Sequence, residues 1–216
     1  MKQKKKVLRA KLSFFHIVKK GYKEKLQFFI FEDRKCKDNE MAVRIILDAG
    51  HGGRDSGASY QERIEKDDNL AMTLTVGDIL EEMGFDVVYT REEDIYQAPF
   101  RKATIANELG GDLFVSIHRN SSGMANQYQG VETLVYSAGG LPLLVAENIN
   151  EELEEVGYIN LGVEERPGLI VLNSTRMPAV LVEVGFINSD ADNELFSEQF
   201  EETAEAIAEG IAESFS

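Results

Sequence analysis

One cysteine and three histidines are a small stock of metal-binding and redox side chains for a chain of 216 residues. Cys36 has no second cysteine to pair with, which excludes a disulfide framework and any cysteine-based metal site. A metal in this chain must be held by histidine and carboxylate. Proline is scarce too, at four residues against 18 glycines, so collagen-like and proline-rich low-complexity classes are excluded. No run of 18 or more apolar residues occurs, and nothing in the sequence reads as a membrane-spanning helix. The N-terminus opens on KQKKK as a secretory leader does. Its apolar stretch LSFFHIV is cut short by Lys19 and Lys20, however, and no small-residue cleavage site follows, which argues against export by that route. There is no internal repeat.

Positive charge is scarce over most of the chain. Residues 1–40 carry 13 Lys+Arg against 5 Asp+Glu, whereas the remaining residues carry 10 against 33. The body therefore repels nucleic acid and anionic lipid, so neither is an expected partner. Residues 1–40 are read as a basic arm, solvated and disordered or not part of the native protein, and the folded unit as residues 41–216. Met41 is a candidate first residue on this reading, which an N-terminal mass measurement of the native protein would check.

From Val43 onward, short apolar runs alternate with helical patterns. Val43–Leu47, Asp86–Thr90, Leu113–Ile117, Val131–Tyr136, Leu169–Leu172 and Ala179–Val184 read as strands. Residues 67–83 read as a helix that Gly84 stops, and Pro99 opens another that reaches Leu109. Further helices follow over 141–156 and from Phe200 to Phe215, the last with apolar residues at helical spacing. Such alternation predicts an α/β fold, a twisted and mostly parallel central sheet of about six strands with helices on both faces. In folds of this kind ligands bind beyond the carboxyl ends of the strands.

Chemistry-bearing residues stand at those ends. His51 follows the first strand in DAGHGGRDSGA, His118 ends the third in FVSIHRN, and Glu183 lies in AVLVEVGF. Hydrolytic zinc sites take three protein ligands from His and Glu and keep a position open for water. Two histidines then need one carboxylate. Glu65, at the entrance to the first helix, and Glu62, three residues earlier, are the two choices, and Glu65 has the better-fixed backbone. Glu183 is flanked by apolar residues, where an ionised carboxylate is costly unless it is paired or faces a polar cavity. Burial raises its pKa toward the range useful for proton transfer, as suits a general base. The glycines of GHGGRDSG lack the Lys-Ser/Thr ending of a nucleotide loop, and close backbone approach around a ligand accounts for them.

Six segments in order, ILDAGHGGRDSGA, EKDDNLA, TRE, RKATIANELGGDLFVSIHRN, GVETLVY and MPAVLVEVGFINS, resemble the zinc-dependent N-acetylmuramoyl-L-alanine amidases from Val43 nearly to the C-terminus. The resemblance implies a hydrolase that cuts the amide between N-acetylmuramic acid and L-alanine in peptidoglycan. It implies one Zn2+ held by His51, Glu65 and His118, and Glu183 as the catalytic carboxylate. It favours Glu65 over Glu62, because the family's ligand stands immediately before Lys-Asp. Asn120 and Asn173 are candidate substrate contacts. The chain departs from the family at Ala49, where proline is usual, and at Arg119, where alanine is usual; beside a ligand, Arg119 is expected to reach the substrate groove. The expected protein is a monomeric cell-wall hydrolase acting outside the cytoplasm. A catalytically silent wall-binding module and a zinc peptidase acting on stem peptides are the rival readings.

Overall fold

The computed structural model describes residues 42–216, so the reading of the basic arm lies outside the described residues. In chain order the elements are β1 (Arg44–Ala49), β2 (Ser59–Tyr60), β3 (Arg63–Ile64), α1 (Glu65–Met83), β4 (Asp86–Tyr89), α2 (Pro99–Leu109) and β5 (Leu113–Asn120). They continue with β6 (Val131–Val135), α3 (Gly140–Val156), β7 (Asn160–Glu165), α4 (Ile170–Asn173), β8 (Ala179–Phe186), α5 (Asp190–Glu198) and α6 (Phe200–Glu213). Six strands form one sheet in the order β4-β1-β5-β8-β6-β7, and β2 pairs with β3 as a small separate hairpin. Every pairing in the large sheet is parallel except β6 with β8. The α/β architecture matches the expectation.

Alternation along the strands divides the core. Ile45 and Leu47, Leu113, Val115 and Ile117, and Val180 and Val182 face one way. There they meet the stripes of α1 (Met72, Val76, Leu80), α3 (Val145, Ile149, Leu153) and α6 (Ile207, Ile211). Ile46, Phe114 and Leu181 face the other way, onto Ala106 of α2 and Val171 and Leu172 of α4. The three central strands are thus covered on both faces, which is why they read as unbroken apolar runs.

Two elements differ from the sequence reading. Leu169–Leu172 is not a strand. After Pro167 and Gly168 the chain turns, and the carbonyl of Leu169 accepts from the amides of Leu172 (3.0 Å) and Asn173 (3.0 Å), opening the short helix α4. A four-residue apolar run carries too little periodicity to tell the two apart. The sixth strand is instead β7, whose Asn160, Glu164 and Glu165 hide it from a hydrophobic pattern. It is the edge of the sheet beside β6, where charge is tolerated and discourages further pairing.

Candidate metal centre

Parallel β1, β5 and β8 deliver three groups to one end of the sheet. Gly50 N donates to Ile117 O (2.9 Å), so the chain leaves β1 directly beside His118. His118 and Glu183 are register partners on β5 and β8. The loop after β1 turns back through the β2–β3 hairpin, and Glu65 opens α1 below it.

Glu65 is the centre of the cluster and is buried. Its Oε1 lies 3.1 Å from His51 Nε2 and 3.0 Å from His118 Nδ1. The three donor atoms lie within 4.8 Å of one another. Ligands about 2.0–2.1 Å from a tetrahedral zinc stand roughly 3.3 Å apart, and the two carboxylate–imidazole distances lie near that value. Glu62 is exposed in the hairpin turn and takes no part. Burial alone would raise the Glu65 carboxyl, but hydrogen bonds and charge from His118 and His51 outweigh it and hold the group far below the ordinary range. The other oxygen, Oε2, accepts from Ala58 N (2.8 Å).

A rigid frame surrounds these three. Arg91, buried, donates from Nε to Ala49 O (3.0 Å) and from NH2 to Gly50 O (2.9 Å) and Lys66 O (3.1 Å), tying the histidine loop to α1. Asn69, one turn after Glu65, donates to Glu65 Oε1 (3.3 Å) and Gly50 O (3.4 Å). His51 itself sits at φ 58°, a left-handed conformation that side chains other than glycine's rarely take, and its Nδ1 lies 3.0 Å from Asp55 Oδ1. Partners behind the ligands fix which nitrogen faces a metal.

The glycines act as expected, by permitting close approach. A Cβ on Gly50 would lie 2.5 Å from His118 Nε2, and one on Gly57 would lie 2.6 Å from His51 Cδ2 while striking the Glu65 carboxylate. Gly50→Ala is therefore expected to keep the fold but weaken metal binding about 10–100-fold, the usual cost of disturbing a ligand's support. Metal-competition titration with a chromophoric chelator checks this.

Glu183 shares the cluster's face. Its Oε2 is buried and has no hydrogen-bond partner among the described residues. Burial, first of all, pushes the carboxyl up to about 7; His118 opposes, Glu65 and Glu132 add to the rise, and His51 opposes again. Glu132, on the antiparallel neighbour β6, is its register partner. The sequence reading passed over Glu132, although a carboxylate inside the apolar run GVETLVY is the same signal that drew attention to Glu183. Asn120 Nδ2 donates to Glu132 Oε1 (2.5 Å), which orients its amide near the cluster.

Asn173 is elsewhere. It ends α4 and donates to Pro167 O (3.1 Å), and the next residue, Ser174, accepts from Asn107 near the end of α2. That is beside the start of β5, where Phe114 N meets Pro178 O, at the opposite end of the strand from His118. Arg119 does not reach a groove either. Strand alternation turns it away from His118 and buries it, with NH1 donating to Asp68 Oδ2 (2.7 Å), NH2 to Asn193 Oδ1 (2.8 Å) and its guanidinium 4.1 Å from the Phe196 ring centroid.

Residues 45–213 match the sequence profile of the family described as N-acetylmuramoyl-L-alanine amidase. The chain is 38% identical to Bacillus subtilis YqiI over 159 residues, covering 72% of this chain and 76% of that protein. It is 33% identical to the N-acetylmuramoyl-L-alanine amidase CwlM of Bacillus licheniformis over 156 residues, covering 70% of this chain and 60% of that protein. Among solved structures it resembles the N-acetylmuramoyl-L-alanine amidase AmiC2 of Nostoc punctiforme. The TM-score is 0.75 at 32% identity, over 82% of this chain and 99% of that one.

Proposed function

The chain belongs to the N-acetylmuramoyl-L-alanine amidase family, and from that premise we propose how its residues hydrolyse the amide between N-acetylmuramic acid and L-alanine in peptidoglycan. The observation that carries the reading is the convergence of His51, Glu65 and His118 on the face of Glu183, whose buried Oε2 has no partner among the described residues. The three are the ligands of a single Zn2+ ion. When bound, zinc supplies Lewis acidity, polarising a carbonyl and acidifying water. Glu183 Oε2 takes the proton of the attacking water and then delivers one to the departing L-alanine nitrogen. A carboxyl raised by burial exchanges protons near neutrality, as this double duty requires. Arg91 and Asn69 keep the ligands in place and exclude alternative conformations of the loop.

The substrate lies at the bacterial cell wall, and the wall is the proposed place of action. No helix among the described residues is long and apolar enough to cross a membrane.

Digestion of purified peptidoglycan, read by mass spectrometry of the products, tests the reading. Free stem peptides with a new L-alanine amino terminus are expected, and chelation should abolish their release until Zn2+ is restored. Cleavage inside the stem peptide would identify a peptidase instead, and intact sacculi a silent module. His51→Ala is expected to lose the metal stoichiometry along with the activity. Elemental analysis of the purified variant is the check.

A further inference from the structure

We infer that Arg54 is the receptor for a free carboxylate of the stem peptide and sets a preference for acidic over amidated substrates. The inference rests on the amidase reading and adds a specificity residue to the same site. Arg54 lies three residues after His51, at the tip of a tight turn. Gly52 N donates to Asp55 O (2.9 Å) and Asp55 N returns a bond to Gly52 O (3.1 Å), closing the turn at its base. Gly53 N donates to Asp94 Oδ1 (2.6 Å), and Lys66 Nζ bonds both Gly53 O (3.1 Å) and Asp94 Oδ2 (2.5 Å). The tip is therefore clamped from α1 and from the loop after β4, which fixes the backbone that carries Arg54 relative to His51.

The guanidinium lies over the Tyr96 ring, 4.2 Å from its centroid. Stacking steadies the plane while consuming none of its five N–H donors. Those donors meet no carboxylate among the described residues. Among the described residues, Arg44, Arg63, Lys66, Arg101, Lys102, Arg119 and Arg166 all hold carboxylates. Arg91 donates to backbone carbonyls. Only Arg54 and Arg176 remain, and Arg176 follows the Asn107 contact at the far end of the sheet. Among the described residues, Arg54 is thus the one uncommitted cation at the end of the sheet where the His-Glu-His cluster lies, and it is exposed.

The body of the chain is strongly acidic, with Glu92, Glu93, Asp94 and Asp55 all in these two loops. A peptide bearing carboxylates meets repulsion there unless a cation receives it. In N-acetylmuramoyl-L-alanyl peptides, the residue after the L-alanine is a glutamate carrying a free carboxylate or its amide. A planar, preorganised guanidinium suits the carboxylate and has no charge to pair with in the amide.

The test is a pair of muropeptides identical except for L-alanine followed by D-glutamate or by D-isoglutamine, assayed with zinc-loaded full-length protein. Arg54→Gln is expected to lower kcat/KM about tenfold on the carboxylate form and less than about twofold on the amide form, at unchanged zinc content. Arg54→Lys should fall between, keeping the charge and losing the fork, and Tyr96→Leu should shift preference in the same direction by removing the platform. Equal losses on both substrates, or no loss on either, overturn the proposal. Wild-type protein that opens neither muropeptide at the sugar–peptide amide would overturn the amidase reading itself, a separate result from loss of discrimination.

Discussion

Glu183→Gln is expected to yield a folded, zinc-loaded protein whose amide hydrolysis is about a thousandfold slower than wild type, within the range general acid–base catalysis supplies. Glutamine keeps the volume and shape of the side chain in β8. It sacrifices no hydrogen bond at Oε2, because that atom has no partner among the described residues. What disappears is the ability to take a proton from water and return it to nitrogen. The flanking residues Val182 and Val184 are fully buried and keep the strand in place, so a folding defect is not expected. Zinc content and thermal stability equal to wild type, with kcat reduced and KM little changed, is the signature of a lost proton carrier. Near-normal turnover would remove Glu183 from that role and turn attention to Glu132, the carboxylate opposite it in register.

The second large effect is on stability. Lys102→Met should destabilise the protein by about 3–5 kcal/mol at neutral pH, the usual cost of stranding one partner of a buried pair. Asp48 and Lys102 are both buried, with Nζ 2.8 Å from Asp48 Oδ1. Thr90 Oγ1 (2.5 Å) and Ser116 Oγ (2.7 Å) also donate to Asp48, and Lys102 reaches Ala49 O as well. Burial by itself would raise the Asp48 carboxyl, but Lys102 and these donors outweigh it and hold it below its ordinary 3.8. In the wild type the folded carboxyl thus titrates lower than the unfolded one. Its contribution is complete above pH 3.8 and is lost as pH falls through the lower folded value.

The variant reverses the sign. Without Lys102 the burial penalty on Asp48 is no longer met, and the folded carboxyl rises above the unfolded one. The deficit should then be greatest at neutral pH and shrink on acidification as the carboxyl protonates. Urea unfolding at pH 7 and pH 5 reads this directly. Asp48→Leu combined with Lys102→Met should recover most of the loss, since neither charge is left without its partner. Asp48 stands two residues before Gly50 and Lys102 bonds the intervening Ala49 O, so Lys102→Met should also lower metal affinity through the carbonyl that it shares with Arg91.

These two predictions differ in how far the residues behind them were legible in the sequence. Glu183 was visible because a carboxylate within AVLVEVGF breaks a local pattern, and His51 and His118 because they end apolar runs. The choice of Glu65 over Glu62 drew on the resemblance, and the geometry agrees with it, one buried among imidazoles and the other exposed. Asp48 and Lys102 gave no such signal. They stand 54 positions apart, on a strand and a helix, and each alone looks like an ordinary charged residue.

Arg119 shows the limit most clearly. Its neighbour in sequence is His118 of the His-Glu-His cluster, yet a strand sends adjacent side chains to opposite faces, and proximity along the chain became separation across the sheet. Asn120, one step further, returns to the face of His118, while Asn173 falls at the other end of the strands. By itself, then, the sequence determined the alternation of strands and helices, the residue types at the strand ends and the glycines that let backbone crowd them. All are local properties, written in periods of two and 3.6 residues. Only the tertiary structure decided which polar groups meet: the Asp48–Lys102 pair, the Arg91 clamp, the carboxylate beside Glu183 and the stacked guanidinium of Arg54. The physical reason is that such partners are chosen by strand order and packing, which bring together residues that no local pattern connects.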